Sequence, residues 1–375
     1  MVQRLRVAGV SVGMIVCLIF APVATNLITA SMVAASLGAV ILVAQPADTA
    51  AAHRAAAKAA AGQDFPGLLR TVCPETPGRG GAGQATAAAP QLGRAAGDAA
   101  ARGRGTGDAA PVPRQSPPRE QWHAEPVKVF DNLYFVGQTE YSAWAVNTSN
   151  GIIIIDTIFD YSVEDEVVGG LKKLGLDPAR IKYLIVSHGH FDHSGGAKFL
   201  QDTYKARVLM SAADWDLLDR GNQNQPRPKR DMVVTDGETL TLGDTTLTMY
   251  LTPGHTPGTI STLIPVKDNG RPHLMAEWGG TAFNFTVTPD KPRDYWFRTY
   301  IASAEHFRDA AAKAGADGVI ANHTNLDESK RKLPALAKRR PGEQNPYVTG
   351  TESVELYLKV AEECAKAGLA ELQGR

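Results

Sequence analysis

From about residue 122 onward, two hydrophobic periods alternate along the chain, and together they predict strands mixed with helices. Residues 152–155 and 181–186 are apolar or nearly so, which is typical of strands buried on both faces. Between them, residues 162–174 place valine and leucine at helical spacing, and Gly175 ends the pattern. Strands that alternate with helices favour an α/β fold with sheet inside and helices outside.

The same patterns continue to the end of the chain. The order of predicted elements is a β-meander over 127–155, a helix over 194–204, a strand over 207–210, a hairpin over 239–251, strands over 260–266 and 272–275, a helix over 302–314, a strand over 318–321 and a helix over 353–372. We therefore place an ordered domain at residues 122–340 and a C-terminal helical extension at residues 341–375.

The first 46 residues have the composition of an export signal. Two arginines precede an apolar stretch from Val7 to Ala44, and small residues before Asp48 suit a cleavage site. A retained membrane anchor is the alternative, because either half of the stretch approaches the length that spans a bilayer. We expect a periplasmic or secreted protein, or one that touches a membrane through this segment alone if it is not cleaved.

Residues 47–121 are rich in alanine, glycine and proline, and most of them lack large apolar side chains. Such a segment cannot offset the entropy of ordering, so it is predicted to be a mostly disordered linker. Residues 50–61 are the exception, because their alanines favour a short helix.

Charge and cysteine content bear on two questions, whether the protein binds nucleic acid and whether it contains a disulfide. The 39 basic and 39 acidic residues balance, which gives no support for nucleic-acid binding. Cys73 and Cys364 remain if the first segment is removed, and either a disulfide between them or two free thiols is compatible with the pattern. Nothing in the pattern indicates an oligomeric state.

The candidate chemistry lies in one turn. His188, His190, Asp192 and His193 follow directly after the apolar run 181–186. Imidazole and carboxylate are ligands that suit zinc, and four of them so close together suggest two ions rather than one. His255, in a PGHTPG segment, and His323 follow two later predicted strands, where α/β folds place ligand chemistry.

These three turns, in this order, resemble the metallo-β-lactamase superfamily. The HxHxDH motif over 188–193 is highly specific for that family, the PGHTPG segment is moderately so, and the resemblance covers about residues 122–327. It implies an αββα sandwich with two zinc ions in a groove at one edge. It further implies that His188, His190 and His255 bind the first zinc, and that Asp192, His193 and His323 bind the second.

One departure refines the resemblance. Hydroxyacylglutathione hydrolases, many lactonases and tRNA-processing members of the family carry an aspartate that bridges the two metals, and Gly280 stands at the comparable position here. The cysteine of the first β-lactamase subclass is absent as well, so the chain looks most like the third subclass of metallo-β-lactamases. Glu277 lies nearby and stays open as an alternative ligand or an ordinary carboxylate.

The resemblance implies a zinc-dependent hydrolase that cleaves a cyclic amide by attack of metal-bound hydroxide. Asp192 is the expected catalytic residue, because it would orient the nucleophile as well as bind zinc. Three alternatives stay open: a lactone or thioester hydrolase, a single-iron dioxygenase on the same fold, and a metal-binding protein without enzymatic activity.

Overall fold

Two β-sheets form the framework of the protein in a computed structural model that describes residues 48–74, 116–221 and 224–375. Within these residues, one sheet has seven strands, in chain order: β1 Val127–Lys128, β2 Leu133–Phe135, β3 Trp144–Thr148, β4 Gly151–Ile155, β5 Ile181–Ile185, β6 Arg207–Ser211 and β7 Met232–Val234. β1 to β4 form an antiparallel meander, and β4 to β7 run parallel.

The second sheet has five strands among the same residues. They are β8 Glu238–Leu242, β9 Thr245–Leu251, β10 Ile260–Asp268, β11 Arg271–Trp278 and β12 Gly318–Ala321. β8 to β11 are antiparallel, and β12 returns parallel to β11. The α-helices of the described part are α1 Ala50–Ala61, α2 Pro66–Val72, α3 Gly169–Lys173, α4 Phe191–Ser194, α5 Ala197–Tyr204, α6 Ala212–Arg220, α7 Arg293–Ala314, α8 Ser329–Leu336 and α9 Thr351–Leu372.

Three apolar clusters show how these elements are layered. One lies between the two sheets and includes Ile153, Ile155 and Ile264. A second packs the other face of the seven-stranded sheet against helices, and Ile152 and Ile154 belong to it. The alternate isoleucines of β4 therefore enter two different cores, which explains why this strand is apolar throughout. The predicted α/β class is confirmed.

The third cluster covers the outer face of the five-stranded sheet. It joins α1, α2, α7 and α9 around buried side chains such as Phe65, Phe307 and Tyr357. Phe65 meets Tyr357 edge to face at 5.1 Å between ring centroids. The helices and sheets thus stack in the order helix, sheet, sheet, helix.

The helix predicted over residues 50–61 is confirmed as α1, but the expectation of a linker is wrong for the rest of residues 48–74, where α2 forms and Phe65 and Leu68 are buried in this cluster. A disulfide between Cys73 and Cys364 joins the end of α2 to α9, which settles the pairing that the sequence left open. The physical reason is that a few apolar residues of 57–73 pack against α9, about 290 residues further along the chain. The average composition of neighbouring residues cannot predict such a distant contact.

Helix α9 agrees with the helix predicted at 353–372, yet it is part of the main core rather than a separate extension. Its buried residues Val354, Leu358 and Ala361 pack in the same cluster as α7. The predicted signal or anchor at residues 1–46 and the linker residues 75–115 lie outside the described residues. Among the residues that are described, no helix is both long and apolar enough to cross a membrane.

Candidate metal centre

Three turns bring the predicted ligands together at one edge of the sandwich. The first follows β5 and carries residues 188–193, the second follows β9 and carries His255, and the third follows β12 and carries His323. Each strand is held by neighbours on its sheet, so each turn starts from a fixed position. The sequence placed all six candidates beyond strand ends, and the structure brings them into two adjacent groups.

The first group consists of His188, His190 and His255. The Nε2 atom of His255 lies 3.1 Å from Nε2 of His188 and 3.1 Å from Nδ1 of His190. The three ring centroids are 4.5 to 4.8 Å apart. Three nitrogen atoms that converge on one point in this way fit the protein ligands of a tetrahedral zinc site with one open position.

The second group consists of Asp192, His193 and His323. Nε2 of His193 lies 3.3 Å from Oδ2 of Asp192 and 3.2 Å from Nε2 of His323. The rings of His188 and His193 are 4.2 Å apart, so the two groups are neighbours. The arrangement offers two nitrogen atoms and one carboxylate oxygen beside the three nitrogen atoms of the first group.

The protonation states of the first group favour metal binding. Burial lowers the pKa of His188 and His255 well below the ordinary value, and neighbouring histidines add to the effect. Burial also lowers the pKa of His190. These imidazoles are therefore neutral at neutral pH, which is the form that coordinates a metal.

The second group is charged differently. Burial lowers the pKa of His193, but the carboxylates of Asp192 and Asp156 outweigh it and raise that pKa to about 10. Burial raises the pKa of Asp192, but the charge of His193 outweighs it and holds the pKa well below the ordinary range. A cation bound here would replace the proton that His193 Nε2 directs toward Asp192, while Nδ1 stays paired with Asp156.

Outer hydrogen bonds orient the histidine rings. Nδ1 of His188 lies 2.9 Å from the carbonyl oxygen of Gly279, and Nδ1 of His255 lies 2.6 Å from that of Ala282. A ring that donates its Nδ1 proton to a carbonyl presents an unprotonated Nε2 on its other side. The strand end and loop after β11 therefore fix which nitrogen of each ring faces the site.

Two buried carboxylates complete this outer layer, and neither was predicted from the sequence to have a role in the site. Asp156, at the end of β4, lies 2.8 Å from Nδ1 of His193 and accepts hydrogen bonds from the backbone N–H and hydroxyl of Ser187. Its φ of 59° is rare for a residue other than glycine and marks a local constraint. A polar residue closing an apolar strand was its only signal in the sequence.

Asp214, in the first turn of α6, connects two ligand turns. Its Oδ2 atom accepts a 2.8 Å hydrogen bond from Gly189 N–H and a 2.7 Å bond from the Thr256 hydroxyl. Gly189 lies between two ligands of the first group, and Thr256 follows the third. Nothing in the local pattern of α6 distinguishes this residue from a solvated helix carboxylate, so only the fold reveals it.

The structure places Glu277 outside both ligand groups. Its side chain is buried on β11 opposite Thr262, and burial raises the pKa of its carboxyl well above the ordinary value, so that it is neutral. Gly280 is also informative, because a Cβ atom there would lie 2.8 Å from the Cβ of His255. The backbone thus leaves no room for a side chain at the position where the resemblance implies a bridging aspartate in other members.

An aromatic wall borders the second group. It consists of the partly exposed Tyr141, Phe159, Tyr161 and Phe191. The Tyr141 ring lies 5.0 Å from the ring of His323, Phe159 meets Tyr141 and Tyr161 at 5.0 Å each, and Phe191 lies 6.0 Å from Phe159. One side of the site is therefore apolar and offers ring faces and edges to a ligand.

Comparison with known proteins identifies the family of this chain. A family model described as the metallo-beta-lactamase superfamily matches residues 136–268. The N-acyl homoserine lactonase AttM of Azorhizobium caulinodans is 30% identical over 203 residues, which are 48% of this chain and 73% of that protein. The chain belongs to the metallo-β-lactamase superfamily. An N-acyl homoserine lactonase of Bacillus sp is also 30% identical, but over 125 residues, so this superfamily member spans about half that lactonase's length.

Solved structures place this member of the superfamily near one subclass. BJP-1, a subclass B3 metallo-beta-lactamase of Bradyrhizobium japonicum, is 29% identical, with a TM-score of 0.56 over 67% of this chain and 96% of that one. The FEZ-1 metallo-beta-lactamase of Legionella gormanii is 25% identical, with a TM-score of 0.59 over 67% and 98%. The predicted resemblance to the superfamily and to its third β-lactamase subclass is confirmed, and these relatives are hydrolases.

Proposed function

We propose that the protein is an exported hydrolase that uses two zinc ions to cleave a cyclic amide in a small-molecule substrate. The observation that carries this proposal is the pair of adjacent three-ligand groups in a site with no room for a bridging carboxylate at Gly280. The similarity to subclass B3 enzymes supports the same reaction.

The donor set fits zinc. His188, His190 and His255 would hold one ion, and Asp192, His193 and His323 the other, with nitrogen and carboxylate ligands that zinc prefers. Zinc, when bound, lowers the pKa of a coordinated water to about 7 and so supplies a nucleophile at neutral pH. The second group is complete, which argues against a single-iron dioxygenase and against a fold that has lost its activity.

Asp192 is proposed as the catalytic carboxylate. Its side chain retains 25% exposure, while that of His193 is fully buried, so the carboxylate is the part of this pair that solvent can reach. Because its pKa is low, it is ionised at neutral pH and can accept a hydrogen bond from water beside the scissile carbonyl. It would orient the nucleophile for attack on that carbonyl.

A lactone hydrolase is the second candidate, because two lactonases are among the relatives. The aromatic wall suits either reaction and predicts an apolar substituent on the substrate, since ring faces bind such groups favourably. The closed position at Gly280 is the observation that favours the cyclic amide.

Export is also a proposal. The disulfide between Cys73 and Cys364 supports it, because disulfides persist mainly in oxidising compartments such as the periplasm. Fractionation of cells that express the full chain tests it, with reduced Cys73 and Cys364 in the cytoplasmic fraction as the contrary result.

A substrate panel on zinc-loaded protein tests the reaction. We expect about two zinc ions per chain by elemental analysis and turnover of nitrocefin or a carbapenem that stops with a chelator and returns with zinc. Turnover confined to N-acyl lactones would move the assignment to the second candidate. One iron per chain with no hydrolysis would overturn the proposal.

The His188→Ala substitution tests the site itself. It should remove hydrolysis and about one zinc ion per chain while the protein stays folded by circular dichroism. His306→Ala is the matched control, because His306 is exposed and pairs with Asp236 away from the site. Full activity in His188→Ala would contradict the assignment.

A further inference from the structure

The loop that carries His323 is held by a part of the chain that precedes the family domain. We define the His323 loop as residues 322–328, between β12 and α8. The family model begins its match at residue 136, whereas α2 lies at Pro66–Val72. In the structure, α2 packs directly against this loop.

The closest approach between α2 and the loop is between backbone atoms. A Cβ atom added to Gly67 would lie 1.8 Å from the carbonyl oxygen of Asn325, so only glycine permits this approach. The Gly67 N–H donates a 3.1 Å hydrogen bond to Oε1 of Glu328. The Asn325 amide also lies 3.4 Å from the Thr71 hydroxyl. Residues from both turns of α2 thus touch the loop within two to five positions of His323.

The helix that makes these contacts is itself fixed. The disulfide between Cys73 and Cys364 ties its end to α9, and Phe65 packs against Tyr357 of the same helix. Leu326, in the middle of the His323 loop, is 3% exposed and belongs to the same apolar cluster as Leu68. The surface of α2 that contacts the His323 loop is therefore held in place by a disulfide and by a packed apolar cluster.

The rest of the loop is supported from other directions. Asp327 accepts hydrogen bonds from Ala321 N–H at 3.0 Å and from the Ser329 hydroxyl at 2.9 Å. Thr324 N–H bonds the carbonyl of Glu140 at 3.1 Å, beside the aromatic wall. These bonds hold the two ends of the loop, while α2 is the element that contacts its centre.

We propose that α2, held by the Cys73–Cys364 disulfide, is a positioning element for His323 and thereby sets the affinity of the second metal position. Of the six ligands, His323 alone comes from this loop, and it belongs to the second group. Displacement of the loop should therefore weaken the second ion selectively and leave the first ion, held by turns after β5 and β9, unchanged. This inference rests on the proposed two-metal site.

Metal titration of the full chain tests the inference, with Co²⁺ as a spectroscopic probe and Zn²⁺ in competition. We expect Gly67→Ala to weaken the second ion about 10- to 100-fold, the range found for residues that orient metal ligands, with the first ion unaffected. Gly169→Ala is the matched control, since a Cβ there meets only one backbone oxygen at an ordinary 3.6 Å. It should bind both ions as the parent does.

Two further variants keep the test decisive if Gly67→Ala does not fold. Glu328→Ala removes the acceptor of the Gly67 bond, and the double variant Cys73→Ser/Cys364→Ser removes the tether. Selective loss of the second ion in either supports the inference. Parent-like binding of both ions, or equal weakening of both, overturns it. If the parent protein itself binds a single ion, the two-metal proposal has failed instead.

Discussion

At the scale of single residues, the candidate centre depends on which groups carry protons. Buried neutral histidines form the first group, and a protonated histidine between two carboxylates lies in the second. Both arrangements follow from burial combined with nearby charge rather than from any property of histidine alone. Burial also shifts the pKa of a carboxylate that supports the ligand turns, and the effect of that shift on stability can be measured.

Asp214 makes a testable contribution to the pH dependence of stability. Burial raises its pKa to about 6, above the ordinary value of 3.8, although hydrogen bonds from Thr256 and Gly189 oppose this. The folded state therefore binds this proton more tightly than the unfolded state. Its contribution to stability is full below about pH 4 and is lost as pH rises through about 6.

Asp214→Asn removes that titration. The free energy of unfolding of the parent, minus that of the variant, should fall by up to about 3 kcal/mol between about pH 4 and pH 7. Urea unfolding of both proteins in chelator measures this, because the other groups titrate in both and cancel. A difference that rises with pH, or stays flat, would show that Asp214 is ionised throughout.

The residues found and missed by sequence reasoning differ in one physical respect. All six predicted ligands belong to motifs whose spacing is local, or follow an apolar strand that is visible in the pattern. Asp156 and Asp214 act through partners 25 to 42 positions away, and no local period encodes such a contact. Glu277 was open as a ligand because its burial, and hence its neutral state, depends on the sheet it belongs to.

At the scale of elements, the turn after β11 decides the chemistry of the first group. Gly280 lies so close to His255 that a side chain there must displace the ring. We expect Gly280→Asp to lower the affinity of the first ion rather than to add a bridging ligand. Zinc titration measures this.

Asn284→Asp serves as its control, because it adds the same charge at an exposed position of the same loop. It should leave both affinities close to the parent values. Tighter binding of both ions by Gly280→Asp would mean that the loop can move to accept a bridging carboxylate, and the argument for a cyclic amide would lose its main support.

The aromatic wall predicts a second effect at this scale. Phe159 contacts Tyr141, Tyr161 and Phe191, so Phe159→Ala opens the centre of the wall. KM for substrates with an apolar substituent should rise about tenfold, equivalent to roughly 1.4 kcal/mol of lost apolar contact, while kcat is unchanged.

Steady-state kinetics on a substituted and an unsubstituted substrate separate this effect from general damage. The unsubstituted substrate should keep its KM in Phe159→Ala. Tyr295→Ala, which removes an exposed aromatic ring of α7, should change neither. An equal rise in KM for both substrates would show that the wall supports the site without contacting the substituent.

Element prediction succeeded where periodicity is local and failed where packing is distant. β4, β5 and α9 follow from their apolar patterns to within a few residues. Helix α1 agrees with the helix predicted over residues 50–61, whereas α2 falls in a stretch that was predicted to be a linker because glycine- and alanine-rich neighbours dominate the composition. The folded position of α2 depends on contacts of its ends with Tyr357 and Cys364, which lie about 290 residues further along the chain.

At the scale of the whole molecule, two facing sheets hold three separate ligand turns in one place. The helical layer on the five-stranded sheet, cross-linked by the Cys73–Cys364 disulfide, supports them. The sandwich was predicted by resemblance, since strand patterns alone do not specify which sheets face each other. Because the turns come from both sheets, bound metal would connect them and should stabilise the entire fold.

Metal removal therefore has a predictable cost in global stability. A ligand that binds only the folded state stabilises it by about 2.7 kcal/mol at a free concentration one hundred times its dissociation constant. We expect the free energy of unfolding in urea to rise with free zinc by about this amount for each of two sites, without reductant so that the disulfide persists. His188→Ala should lose about half of the increase, while His306→Ala keeps all of it. Magnesium, which prefers oxygen ligands, should have no effect. If zinc left the parent's stability unchanged, the two ligand groups would not act as metal sites in the folded protein, because binding that excludes the unfolded chain cannot fail to shift the equilibrium.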